Sequence, residues 1–64
     1  MTSIVVEFCV DNDAFRNEDD SLCIEEVKNV FQQAVDLLEW GEKYNDGLRD
    51  TNGNYCGRLM VLDE

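Results

Sequence analysis

DSLCIEEVKNVFQQAVDLLEW, residues Asp20 to Trp40, decides how the rest of this 64-residue chain must be arranged. Cys23, Val27, Val30, Phe31, Ala34, Val35, Leu37 and Leu38 recur at three-and-four spacing, which places one apolar stripe along one side of a helix. Asp19, Asp20 and Ser21 offer N-cap oxygens, and Glu25 and Glu26 put negative charge at the positive end of the helix dipole. Gly41 supplies the left-handed stop. A helix of about 20 residues is roughly 30 Å long, the diameter of a domain this small. The remaining residues must therefore form the sheet on which it lies.

Ser3 to Val10, SIVVEFCV, is β-branched and aromatic enough for a strand. Ile4, Val6, Phe8 and Val10 fall on one face, predicted to meet the helix, while Val5, Glu7 and Cys9 make a mixed open face. After the helix, Glu42 to Asn45 reads as a linker in which Lys43 serves the negative end of the helix dipole. Asn52-Gly53 then marks a hairpin, with Leu48 to Thr51 running in and Asn54 to Leu62 running out. A two-residue turn pairs Thr51 with Asn54; a bulged three-residue turn pairs Asp50 with Asn54 and puts Leu48 beside Cys56. Gly57 reads as a bulge after which Leu59 and Val61 face the core, and Asp63 and Glu64 as a frayed end. Strand, helix, strand, strand is simplest as an α+β domain, a single domain over residues 1-64, with an antiparallel sheet of order 1-3-2 and the helix on one face.

Charge dominates the composition: 15 Asp and Glu stand against 5 Lys and Arg, with no His, for a net charge of -10. Self-repulsion at this density opposes the compact state, so the acidity points to a role beyond folding. Such a chain is not expected to bind nucleic acid or an anionic membrane directly. Its expected partner is a basic protein surface of the kind that holds phosphates. The candidate partner-binding acids are Asp11, Asp13, Glu18, Asp19 and Asp20 in the loop before the helix, Glu25 and Glu26 on its first turns, and Asp36 farther along. Lys28 is the one base on the outward face Glu25, Asn29, Gln32, Gln33, Asp36 and Glu39. Phe15 is expected to anchor the loop under the helix start, and Trp40 to cover the end of the core.

Other chemistry is hard to build from these residues. Asp11 and Asp13 suggest a calcium loop, but Phe15, Arg16 and Leu22 occupy the places of its third oxygen ligand, its glycine and its closing glutamate. Cys9, Cys23 and Cys56 are odd in number and widely spaced, so they read as reduced packing residues and not as a disulfide framework or zinc set. Without His or a phosphate loop the chain is not expected to be an enzyme, and no cofactor or metal is expected. No apolar run is long enough for a membrane span or signal peptide, which gives the expectation of a soluble, cytoplasmic protein. The chain is also expected to be a monomer.

The Asn-Asp-Ala-Phe step (Asn12 to Phe15), the acidic loop, the single helix and the closing Leu-Arg-Asp-x-Asn-Gly-Asn hairpin (Leu48 to Asn54), with Gly57 and Arg58 beyond, resemble a family of short phage and prophage proteins. Within it the chain is most similar to the small acidic anti-CRISPR inhibitors of the type I-C system. The resemblance implies an α/β inhibitor that acts in the bacterial host cell and docks on the surveillance complex where target DNA enters and its short flanking motif is recognised. Two rivals share the charge argument or replace it: an inhibitor or antitoxin for another basic nucleic-acid-binding protein, such as a host nuclease, restriction enzyme or toxin; and an acidic structural protein that self-associates through Val5 and Cys9.

Overall fold

The computed structural model of the chain describes residues 1-63; Glu64, read above as part of a frayed end, lies outside the described residues. Strand β1 (Thr2–Phe8) leads through a 3-10 turn (Asp13–Phe15) to helix α1 (Ile24–Glu39), and β2 (Tyr44–Arg49) and β3 (Tyr55–Asp63) follow. The domain is α+β, and its antiparallel sheet has the order β1-β3-β2 with the helix on one face.

The helix ends as its sequence requires. Gly41 takes φ +87°. Its N–H donates to the carbonyl of Leu38 at 3.0 Å, and that of Glu42 to the carbonyl of Leu37 at 3.0 Å. These paired bonds satisfy carbonyls that the helix leaves open, and only a residue free to adopt positive φ closes them easily.

The helix starts at Ile24, four residues after the beginning of the Asp20 to Trp40 stretch. Its N-cap is Cys23, which makes no side-chain capping bond. The polar residues expected to cap are used elsewhere: the Asp19 carboxylate accepts from the backbone N–H of Ser21 at 3.1 Å and from its hydroxyl at 2.6 Å. Leu22 forms an isolated bridge with Arg16. The N–H of Cys23 donates to the carbonyl of Phe15 at 2.7 Å. Residues 16-22 are thereby a small hairpin of their own, and α1 begins only where it ends.

Phe15, Val30, Ala34, Leu48 and Leu59 form the buried core, with Val6, Phe8, Val10, Val27, Leu37, Leu38 and Cys56 packed around it. Phe8 stacks on Phe15 at 6.0 Å between ring centroids and meets Phe31 edge-on at 5.3 Å. Ile4, expected under the helix, is instead 60% exposed. It shares the helix face of the sheet, since Ile4 pairs with Val61 and Val6 with Leu59. However, α1 packs mainly over β2 and the 3-10 turn, and leaves that end of β1 uncovered.

At the β2-β3 hairpin the bulged three-residue turn is the one formed. The N–H of Asp50 donates to the carbonyl of Asn54 at 3.0 Å, and that of Gly53 to the carbonyl of Asp50 at 3.0 Å. Gly53 takes the left-handed position at φ +84°. Leu48 pairs with Gly57 and not Cys56, because the ladder slips by a residue after Arg49 pairs with Tyr55. β2 also begins earlier than expected, at Tyr44, which pairs with Met60. Asp63 is not frayed: it pairs with Thr2, whose hydroxyl donates to its carboxylate at 3.1 Å.

Candidate acidic interaction surface

The loop acids are held by backbone geometry that their neighbours dictate. Asn12 caps the 3-10 turn, its side-chain oxygen accepting from the N–H of Ala14 at 3.1 Å while its amide donates to Asp50 at 2.6 Å. Phe15 is fully buried, as expected of an anchor. Asp11 and Asp13 therefore stand exposed at either side of a fixed root.

From that root the chain rises into the 16-22 hairpin. The N–H of Asn17 donates to the carbonyl of Ser21 at 2.9 Å, and that of Asp20 to the carbonyl of Asn17 at 2.9 Å. This is the same bonding pattern as in the Asp50–Asn54 turn, with Asp20 where the other turn has Gly53. Asp20 accordingly sits at φ 68°, the one positive-φ residue other than glycine among the described residues. The side-chain amide of Asn17 donates to the Ser21 hydroxyl at 2.9 Å and to the Leu22 carbonyl at 3.3 Å, bracing the return arm. Glu18, Asp19 and Asp20 thus share one exposed tip. The hydrogen bonds from the Ser21 hydroxyl and N–H hold the Asp19 carboxyl below its ordinary range, so it is ionised at neutral pH.

The bond between Cys23 and Phe15 closes the loop, so the acids of its root and the first helical turn occupy neighbouring elements. Glu25 is exposed there and lies 3.5 Å from Lys28. Asp36 faces outward on the same side of the helix as Glu25, roughly 16 Å farther along the axis, with Asn29 and Gln32 between them. The amide of Gln32 donates to Asp36 at 2.9 Å. Asp36 is therefore an outlier from the loop cluster.

Glu26 does not belong to the solvated set. It is only 8% exposed. Its carboxylate accepts from the N–H of Thr51 at 2.8 Å, from the Thr51 hydroxyl, and from Asn29 at 3.2 Å. The Thr51 hydroxyl bond outweighs burial and holds the Glu26 carboxyl below its ordinary value. On the helical wheel it falls beside Val30, which is why it turns inward.

Bases do little to neutralise the surface. Among the described residues two ion pairs form, Lys28 with Glu25 and Arg58 with Glu7, and Arg49 lies over the Tyr55 ring at 4.6 Å. Among the described residues no group of Cys, Asp and Glu could hold a metal ion, and no helix is long and apolar enough to cross a membrane. Burial, with the charges of Asp50, Glu26 and Cys9, pushes the Cys56 thiol up, so it stays protonated at neutral pH.

Trp40 does not cover the core; it is 87% exposed. It falls on the helix side of Gln33 and Asp36 and borders with them a shallow hollow completed by Leu37, Asn45 and Gly47. Its angular distance from Val30 and Ala34 was the available signal. Compared with known proteins, the chain matches no family model, no curated protein and no solved structure.

Proposed function

We propose that this protein is an acidic inhibitor of the anti-CRISPR kind its sequence resembles. It acts as a DNA mimic, binding the DNA-recognition surface of a type I surveillance complex and blocking target DNA. The observation that carries the reading is the exposure of Asp11, Asp13, Glu18, Asp19, Asp20 and Glu25 on one fixed loop and the helix start, with Arg16 the one base in the loop and Lys28 beside Glu25. Phosphates along a DNA strand repeat at roughly 6 to 7 Å, a spacing that alternate strand residues or neighbouring helical turns approximate. Carboxylates at that spacing offer Lys and Arg side chains the charge they otherwise find on the backbone of DNA. Glu26 is left out of this surface because Thr51 already occupies it.

The test is binding to a purified type I-C surveillance complex, with and without target DNA, at low and high salt. Mimicry requires binding that salt weakens and pre-bound DNA blocks, since both compete for the same cations. Alanine at Glu18, Asp19 and Asp20 together should weaken it at least tenfold. Binding indifferent to DNA would keep an inhibitor but discard mimicry. No binding would discard the type I-C target and leave the surface to another basic nucleic-acid-binding protein.

A further inference from the structure

The two edges of the sheet are treated differently. On β2 the helix supplies side chains to the outer backbone: Gln33 donates to the Arg49 carbonyl at 2.5 Å and accepts from the Arg49 N–H at 3.0 Å. The ladder of β2 is also broken by irregularities between Asn45 and Arg49. These features blunt an edge against further pairing. β1 has none of them. It pairs with β3 in unbroken register from Thr2 to Phe8, contains no proline, and carries one charge, Glu7, which is bonded to Arg58 on the open face.

Alternation fixes which groups point outward. Cys9 donates inward to Cys56 at 2.8 Å, so the N–H and C=O groups of Ile4, Val6 and Phe8 point away from β3. No other strand among the described residues pairs with them. Beside this edge lies an apolar flank that α1 leaves open. Ile24, Phe31 and Val35 recur on one line of the helix, interrupted only by Lys28, which is paired with Glu25, and are 56%, 48% and 45% exposed, and Phe31 reaches β1 through Phe8. The whole chain has 4665 Å² of accessible surface, where a monomer of 7.4 kDa is expected to have about 4200 Å².

We propose that β1 is the seam of a two-fold homodimer, in which the β1 strands of two copies pair antiparallel into a six-stranded sheet and the helix flanks cover one another across it. A strand edge with outward backbone groups is a template for another strand, and a two-fold axis at Val6 pairs Val6 with Val6, and Ile4 with Phe8 of the partner subunit. That register moves the exposed Ile4 against the partner's Phe8 and sets Glu7 opposite the partner's Val5, so the two Glu7 carboxylates do not meet. The choice of a second copy also follows from charge. With a net charge of -10, two copies can approach only where acids are absent, and Ile4, Val6, Phe8, Ile24, Phe31 and Val35 provide that strip. A basic partner would find nothing complementary there. Taking about 200 Å² for a large apolar side chain, the four exposed residues of the strip offer on the order of 400 Å². With the strand backbone this stays below the roughly 800 Å² per partner of a standard interface, so the dimer is reversible.

Sedimentation velocity over a range of concentrations, at about 0.05 M and about 0.5 M salt, tests this. A two-copy mass should grow with concentration and be favoured by salt, which screens the repulsion; binding to a basic partner responds in the opposite sense. In the wild type, the amides of Ile4, Val6 and Phe8 should gain protection from hydrogen exchange as concentration rises. Ile4→Lys, and Ile4→Pro, which removes an outward donor without touching the inward ladder, should each weaken dimerisation at least tenfold with unchanged circular dichroism. A one-copy mass throughout would overturn the proposal and assign the strip to a different partner. So would a dimer whose β1 amides stay unprotected.

Discussion

Glu26, in the first turn of α1, accepts both the backbone N–H and the hydroxyl of Thr51, which lies 25 residues on in the β2-β3 turn. The adjacent Asp50 is also buried, accepting from the N–H of Asn54 at 3.0 Å and from Asn12 at 2.6 Å. Burial raises the Asp50 carboxyl, but the bonds from Asn54 and Asn12 together bring it below its ordinary value. Two carboxylates that formally add to the charge of the surface thus tie the loop, the helix and the hairpin together. They are the part of the acidity that the fold itself uses.

Glu26→Gln should therefore destabilise the protein by about 1 kcal/mol at pH 7, the difference between hydrogen bonds to a charged and to a neutral acceptor. The sign with pH follows from linkage: a carboxyl lowered in the folded state stabilises above its unfolded pKa, and that contribution fades as pH falls through the folded one. The gap between variant and wild type should then be full above about pH 4.5 and shrink below it. Urea denaturation of both proteins across this range checks the prediction, and taking their difference cancels the general relief of repulsion that acid brings. A gap that widens in acid would mean that Glu26 is not held ionised by Thr51.

Gly57 is fixed by close approach. A Cβ there would run into the Glu7 carbonyl oxygen and the Phe8 Cβ, both belonging to the paired strand. Gly57→Ala should cost about 3 kcal/mol or more, because backbone cannot yield as a flexible side chain would. On a domain of this size that is enough to lower the melting temperature by more than 10 °C, or to prevent folding. Thermal melts followed by circular dichroism would show it; a change of a few degrees only would mean that β1 and β3 can part at this point.

The same contrast between local and distant causes explains what the sequence showed. The stripe of α1, the stop at Gly41 and the Asn52-Gly53 turn each have their cause within a few residues, and with them came the sheet order. The helix start did not, because the oxygen of Asp19 caps a turn two residues away and leaves the helix to begin at Cys23. Nor did the burial of Glu26, whose partner is distant in sequence. The 16-22 hairpin was hidden because Asp20 stands where a glycine would have marked the turn. Within the candidate site, the exposure of Asp11, Asp13, Glu18, Asp19 and Asp20 follows from their charge alone, whereas the burial of Glu26 and the exposure of Trp40 depend on the helical face each occupies.

At Asp20 stability and recognition should pull apart. A side chain at φ 68° costs about 1 kcal/mol relative to glycine, somewhat less for Asp than for bulkier residues. Asp20→Gly should raise stability by up to about 1 kcal/mol, a shift of several degrees in melting temperature, while removing one charge from the tip. Under the proposed function it should weaken binding to the surveillance complex, as should Asp20→Asn, which keeps a residue tolerant of this backbone. Equal or lower stability in the glycine variant would show that the aspartate side chain itself supports the turn.

Trp40 provides the most direct check on the shape of the helix end. Because it is 87% exposed and is the single tryptophan of the chain, its fluorescence reports on this one position. The folded protein should emit at the wavelength of water-exposed indole, with full access to the neutral quencher acrylamide, and should shift little on unfolding. Trp40→Ala should change stability by less than about 0.5 kcal/mol, since no core contact is lost. An exposed tryptophan beside Asp36 joins an apolar face to a charge, the combination found at the centre of many protein interfaces. If Trp40→Ala leaves stability intact but weakens binding to the surveillance complex, the contact surface extends from the loop acids along the helix to this end. If binding is also unchanged, recognition is confined to the loop and the first turn.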